Sequence, residues 1–232
     1  MSGGIAILIV KESNIINLRQ SLAYAAPTAA VYFLFGPIFI LQGIYAKYYG
    51  LTLTTIASVI FLANIFDAVT DPLIGNFSDR YYRKTGSRKP FIIIGGLLCI
   101  VTSYFLYVPP EYVTGWMFFG FYIAYYLSLK LFDIPHLAWP SKLTESPKVR
   151  NKLYGLRSFM MFFGGLLYFS VPQLPIFETT EFTPETLEIS VAIGALLLLP
   201  ALYMCVRGVP DKHLPITNKA NGYQINSSSI LK

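Results

Sequence analysis

Apolar residues run in long blocks along this chain, and polar residues gather in the short gaps between them. A bilayer crossing needs about 20 mostly apolar residues. Six blocks reach that length, near residues 21–46, 51–76, 90–108, 114–140, 153–177 and 187–207. The pattern predicts an all-α membrane protein of six transmembrane helices. Pro27, Gly36 and Pro37 fall inside the first block, which membrane helices tolerate where neighbours satisfy the freed backbone groups. Residues 1–20 read as a cytoplasmic N-terminal segment and 21–207 as the bundle. Residues 208–232 are polar and lack a core-forming pattern, and read as a disordered cytoplasmic tail.

Composition agrees with the pattern. Only 13% of the 232 residues are charged, against about 25% in soluble domains. The net charge of +6 does not point to nucleic acid, because the basic residues fall between the apolar blocks. Arg80, Arg83, Lys84, Arg88 and Lys89 follow block two, and Lys142, Lys148, Arg150 and Lys152 follow block four. The opposite set of gaps holds Lys47, with Glu111, Glu178, Glu181 and Glu185. By the positive-inside rule both termini are cytoplasmic, which suits a multi-pass protein of the plasma (inner) membrane.

Charges within the blocks are few, and they carry the chemistry. Asp67 and Asp71 are four residues apart and share one helix face. Ionisable groups at membrane depth are costly and tend to mark ion or proton paths, so a cation, a proton or a basic side chain must answer them. Lys130 and Asp133 share a face of block four, and Arg157 lies one turn into block five. One reading has Lys130 merely neutralising Asp133 or a block-two acid and fixing the packing. The other has all five lining a polar cavity, where transporters hold solute and ion. Asp133 and Arg157 offer acceptors and donors suited to a hydroxylated solute. Pro135 and Pro140 should bend or end this helix. Trp139 either stacks on a ligand or sits in an interfacial aromatic belt. His136 either moves protons or is a packing residue.

The stretch Gly75–Pro90 reads as a gate loop beside a glycine-rich helix end, with Asp79, Arg80, Arg83 and Arg88 forming ion pairs in one conformation, or as topology determinants alone. Gly75 would let two helices approach closely. Cys99 and Cys205 lie in apolar blocks without metal-ligand spacing and read as small hydrophobes. No nucleophile–base pairing and no H-E-x-x-H motif is present. The chain therefore reads as no enzyme, without a cofactor or a metal site, unless sodium sits at Asp67 and Asp71.

The segments FDAVTDPLIGNFSDR, GSRKPFIIIG, FDIPHLAWP and RNKLYGLRSF resemble those of the glycoside–pentoside–hexuronide cation symporters, of the major facilitator superfamily. The resemblance runs from about residue 20 to 177. It implies a cation- or proton-coupled symporter of a sugar or related small polar solute. It assigns Asp67 and Asp71, with Lys130 beside them, to cation or proton coupling, and Asp133 and Arg157 to the solute. It assigns Asp79, Arg80, Arg83 and Arg88 to a cytoplasmic gate. Three departures accompany it. Sugar-carrying relatives have an acid in mid span one, where this chain has Ala29-Ala30-Val31-Tyr32. Lys130 stands where relatives have a small polar residue near the cation, and it competes with sodium for Asp67 or Asp71. The family has twelve spans in two halves and this chain has six, so a second six-helix half is the expected partner. Two alternatives keep the fold: a carrier of lipid-like or amphipathic cargo, and a non-transporting membrane subunit or remnant.

Overall fold

The computed structural model describes residues 16–210. The expected N-terminal segment and tail therefore lie largely outside the described residues. Eight α-helices are present among the described residues: α1 (Leu18–Phe35), α2 (Leu41–Tyr49), α3 (Leu53–Thr85), α4 (Lys89–Tyr107), α5 (Gly115–Ala138), α6 (Pro140–Leu143), α7 (Pro147–Phe169) and α8 (Pro184–Gly208). Five segments are long and apolar enough to cross a membrane: Leu18–Phe39, Leu53–Thr85, Lys89–Tyr107, Gly115–Leu143 and Pro184–Gly208. The helix in the fifth expected block, α7, is not among them, because Lys148, Arg150, Lys152 and Arg157 occupy its first three turns.

Polar caps set the helix starts. Asn17 accepts from the Gln20 amide at 2.8 Å, and the Gln20 side chain returns to the Asn17 amide, closing a capping box. The Thr183 side chain closes a second box at α8, and Thr52 and Thr114 cap α3 and α5 by accepting from the Thr55 and Met117 amides. Gly50 and Gly86, at φ 69° and 73°, end α2 and α3 in the left-handed region that other residues rarely enter.

Three boundaries differ from the sequence expectation. The first block is not one helix: α1 stops at Phe35, and Gly36–Phe39 form a 3₁₀ turn around Pro37 before α2 begins. Hydropathy cannot register that break, since the turn is as apolar as its flanks. The second block does not end at residue 76. Helix α3 continues for 33 residues, about 50 Å, to the Gly86 stop. Asp79, Arg80 and Arg83 therefore ride on a helix rather than a loop. In α5, Pro135 lies inside the helix and the chain breaks after Ala138, just ahead of Pro140.

The helix α1 is central. It packs against α7 on one side and α8 on the other, while α5 packs on α3 and α4, and α4 on α8. Tyr24, Ala25, Val31 and Leu34 of α1 are buried. The closest helix crossings are made at glycine. A Cβ at Gly164 would meet the Ala29 backbone of α1, and one at Gly95 would meet the backbone of Leu131 and Phe132 of α5. Gly75 is not such a crossing, since its nearest neighbour across is an Ile134 methyl at 3.9 Å. Tyrosine hydroxyls tie the helices further: Tyr45 donates to the Leu106 carbonyl at 2.6 Å and Tyr107 to the Leu34 carbonyl at 2.7 Å. By contrast α3 and α7 each leave an apolar flank open, with Phe66, Val69, Leu73 and Phe77 on one and Phe159, Phe162 and Leu166 on the other.

The two ends of the bundle differ in charge. Arg88 and Lys142 both lie over the Tyr82 ring, and Lys89 lies over Trp139, so the α3–α4 and α5–α7 connections share one basic end. At the other end Lys47 meets Glu181 at 3.5 Å.

Candidate polar site between helices

The helix α5 carries two charges three residues apart and uses them in two directions. Lys130 reaches α3. Its Nζ is 2.7 Å from Asp71 Oδ2 and 3.8 Å from Asp67 Oδ2. Asp133 instead faces α7 and α1. It accepts from Arg157 Nη2 and, at 3.5 Å, from the Tyr32 hydroxyl. The i,i+4 spacing of the acids and the i,i+3 spacing on α5 thus give two adjoining ion-pair clusters, with Lys130 bound to the second helix rather than to its own neighbour.

The Asp133 cluster is enclosed. The Arg157 and Asp133 side chains are 7% and 20% exposed. Arg157 Nε–H donates to His136 Nδ1 at 3.3 Å. His136 Nε2 then donates to the Tyr24 carbonyl at 2.8 Å, and the Tyr24 hydroxyl donates back to the His136 carbonyl at 3.1 Å. The Tyr24 and His136 rings stack at 4.4 Å, 5° from parallel. With Nδ1 accepting, the imidazole is neutral and orients the guanidinium. Trp139 closes this group edge-on to Tyr24 and His136 and is 2% exposed. The structure thus places Trp139 against Tyr24 and His136, with Lys89 over its ring.

The acid pair on α3 is more open. Lys130, Asp67 and Asp71 side chains are 25%, 17% and 38% exposed. Asp71 Oδ1 is nonetheless shielded and lacks a hydrogen-bond partner among the described residues. Pro72, next in sequence, has no amide proton for the Ala68 carbonyl, so the α3 ladder is one bond short here. Thr70 turns its hydroxyl along the helix to the Phe66 carbonyl at 3.0 Å. One turn before Lys130, Tyr126 stacks on Tyr122 at 4.6 Å, with 3.0 Å between hydroxyls.

Sequence reasoning found the acids, Lys130, Asp133 and Arg157, but not Tyr32, Tyr24 or Tyr126. A signal for Tyr126 existed: Tyr122, Tyr126, Lys130 and Asp133 recur at helical spacing on α5. Tyr32 lay in the stretch noted only for lacking an acid.

Of the expected gate residues, the structure joins two. Arg88 is buried and donates to Asp79 and, at 2.8 Å, to the Ser78 hydroxyl, clasping the end of α3 to the start of α4. Arg80 and Arg83 are exposed on the outer turns of α3. An apolar cavity of about 250 Å³ adjoins the Asp133 cluster through Tyr32, bounded also by Phe35, Phe39, Phe162, Leu166 and Phe169.

The family model described as MFS/sugar transport protein matches residues 22–227. YagG of Escherichia coli K12 is 27% identical over 158 residues, covering 65% of this chain and 34% of its own length. The inner membrane symporter YicJ of the same bacterium is 24% identical over 161 residues, 67% of this chain and 35% of its own. The lactose permease of Lactobacillus helveticus is 26% identical over 230 residues, 88% of this chain and 34% of its own. The chain spans about a third of the length of these curated relatives.

Proposed function

Because the chain belongs to the MFS/sugar transport protein family, a family of membrane transporters, we propose that it is one six-helix half of a secondary transporter. It moves a sugar or related small polar solute together with a cation or proton. In this reading α7 also crosses, which brings the crossings to six, with its basic first turns at the cytoplasmic face. Both termini are cytoplasmic, in the plasma membrane, because the basic residues gather at the α3–α4 and α5–α7 end. The open flanks of α3 and α7 meet a second six-helix half, in the same chain or another.

One observation supports this above all. A buried arginine, an aspartate and a tyrosine hydroxyl converge from α7, α5 and α1, beside a lysine that holds two further acids. Asp133, Arg157 and Tyr32 hold the solute, with Trp139 backing them. Asp67, Asp71 and Lys130 carry the ion coupling, reciprocally with solute binding. The clasp of Asp79 and Arg88, with Arg80 and Arg83 outside it, is the cytoplasmic gate.

The test is uptake of labelled mono- and disaccharides into proteoliposomes holding the complete protein, with and without an imposed ion gradient. Asp71→Asn is expected to lose ion-driven uptake while the protein still inserts. Wild-type rates in that variant would contradict the coupling role. A second reading, carriage of an amphipathic solute, is favoured by the apolar cavity beside Tyr32. Competition by lysolipids but not by sugars selects it.

A further inference from the structure

A protein that uses an alkali ion must keep a place for it, and in this chain that place holds a side chain. Lys130 Nζ lies between the two acids, at 2.7 Å from Asp71 and 3.8 Å from Asp67. An ammonium is a compact point charge with three donors, so it serves two carboxylates as a small cation does. We infer that the Lys130 ammonium is a built-in, tethered cation at the Asp67–Asp71 site and that it excludes sodium and other alkali ions from it. The inference deepens the proposed transport reading and rests on it for the word coupling, but not for the site itself.

Three further observations bear on it. Lys130 does not bind the acid of its own helix, because Arg157 already holds Asp133. Its charge is therefore free to turn toward α3. Hard cations take several oxygen ligands. The side chain between the two acids, Thr70, directs its hydroxyl along the helix to the Phe66 carbonyl. The group that closes on the pair from α5 is the ammonium. Asp71 Oδ1 has no hydrogen-bond partner among the described residues, so acceptor capacity remains for a second cation once the ammonium is removed. While it is present, a second positive charge about 4 Å away is disfavoured by roughly a thousandfold at the effective dielectric of a protein surface.

The experiment compares purified complete protein in sodium chloride and in choline chloride at equal ionic strength, reading the midpoint of thermal unfolding. Wild type and Lys130→Arg are expected to show no difference between the two salts. Lys130→Gln and Lys130→Thr are expected to gain a saturable, sodium-specific rise in midpoint, with apparent sodium affinity at least about tenfold above wild type. Adding Asp71→Asn to Lys130→Gln removes that rise. A saturable sodium response in the wild type overturns the inference, as does a folded Lys130→Gln or Lys130→Thr protein indifferent to sodium. If neither neutral variant folds, sodium-23 line broadening by the wild type decides: saturable broadening overturns the inference and its absence upholds it. Sugar uptake is scored separately. Protein that moves no sugar but gains sodium binding on loss of Lys130 sinks the sugar reading alone. Sugar uptake that requires sodium in the wild type sinks the tethered cation alone.

Discussion

The clusters around Arg157 and around Lys130 begin three residues apart on α5 and are built differently. Arg157 is enclosed, and its fork is divided between Asp133 and a histidine that is itself held from both sides by Tyr24. Lys130 is a quarter exposed, serves two acids at unequal distances, and leaves one shielded carboxylate oxygen without a partner. A planar guanidinium with fixed donors suits a geometry meant to stay put, and an ammonium on a flexible stem suits one that changes partners. The contrast sets a fixed cluster beside a more exchangeable one on the same helix.

The largest effect should come from breaking the fixed cluster. Arg157→Leu strands Asp133 and leaves His136 Nδ1 without its donor. Removing one partner of a buried ion pair costs about 3–5 kcal/mol, read as a lowered thermal midpoint in detergent. A wild-type midpoint would mean that this cluster does not hold the bundle. Next is His136→Leu, which frees the Tyr24 carbonyl and the Arg157 Nε–H. About 1–3 kcal/mol is expected, with Arg157 and Asp133 still paired. At the exchangeable cluster, Asp71→Asn should shift stability by no more than about 1 kcal/mol, since Lys130 retains Asp67. A loss as large as that of Arg157→Leu would erase the distinction drawn between the two clusters. Smallest is Lys47→Ala, at the exposed pair with Glu181, which is expected to leave the thermal midpoint unchanged.

Much of this arrangement was legible beforehand, for reasons that belong to short-range geometry. Helical spacing alone put Asp67 with Asp71 and Lys130 with Asp133 on common faces, and the motifs around them identified the family. What spacing could not decide was partnership. Lys130 had an acid on its own helix and two on another, and only the position of Arg157, brought in by the α1–α7 crossing at Gly164, removes the first from contention. Long-range approach of this kind depends on which glycine meets which backbone, so the sequence singled out Gly75 while the crossings fall at Gly95 and Gly164. Boundaries failed where hydropathy and helicity part company. The turn at Gly36–Phe39 is apolar but not α-helical, and the end of α3 from Phe77 to Thr85 is helical but largely polar. Spacing left Trp139 open for a related reason, because an aromatic near a helix end has the same local signature whether it faces a ligand, a headgroup or a neighbouring ring.

The unbroken length of α3 has a mechanical consequence. About 12 Å of helix separates Asp71 from Asp79, where the Arg88 clasp fastens α3 to the start of α4. If the acids act as a fulcrum, a tilt of roughly 10° there moves Asp79 by about 2 Å. A shift of that size takes a hydrogen bond out of its working range, so in the proposed transport cycle a tilt at the acids would strain a clasp two turns away.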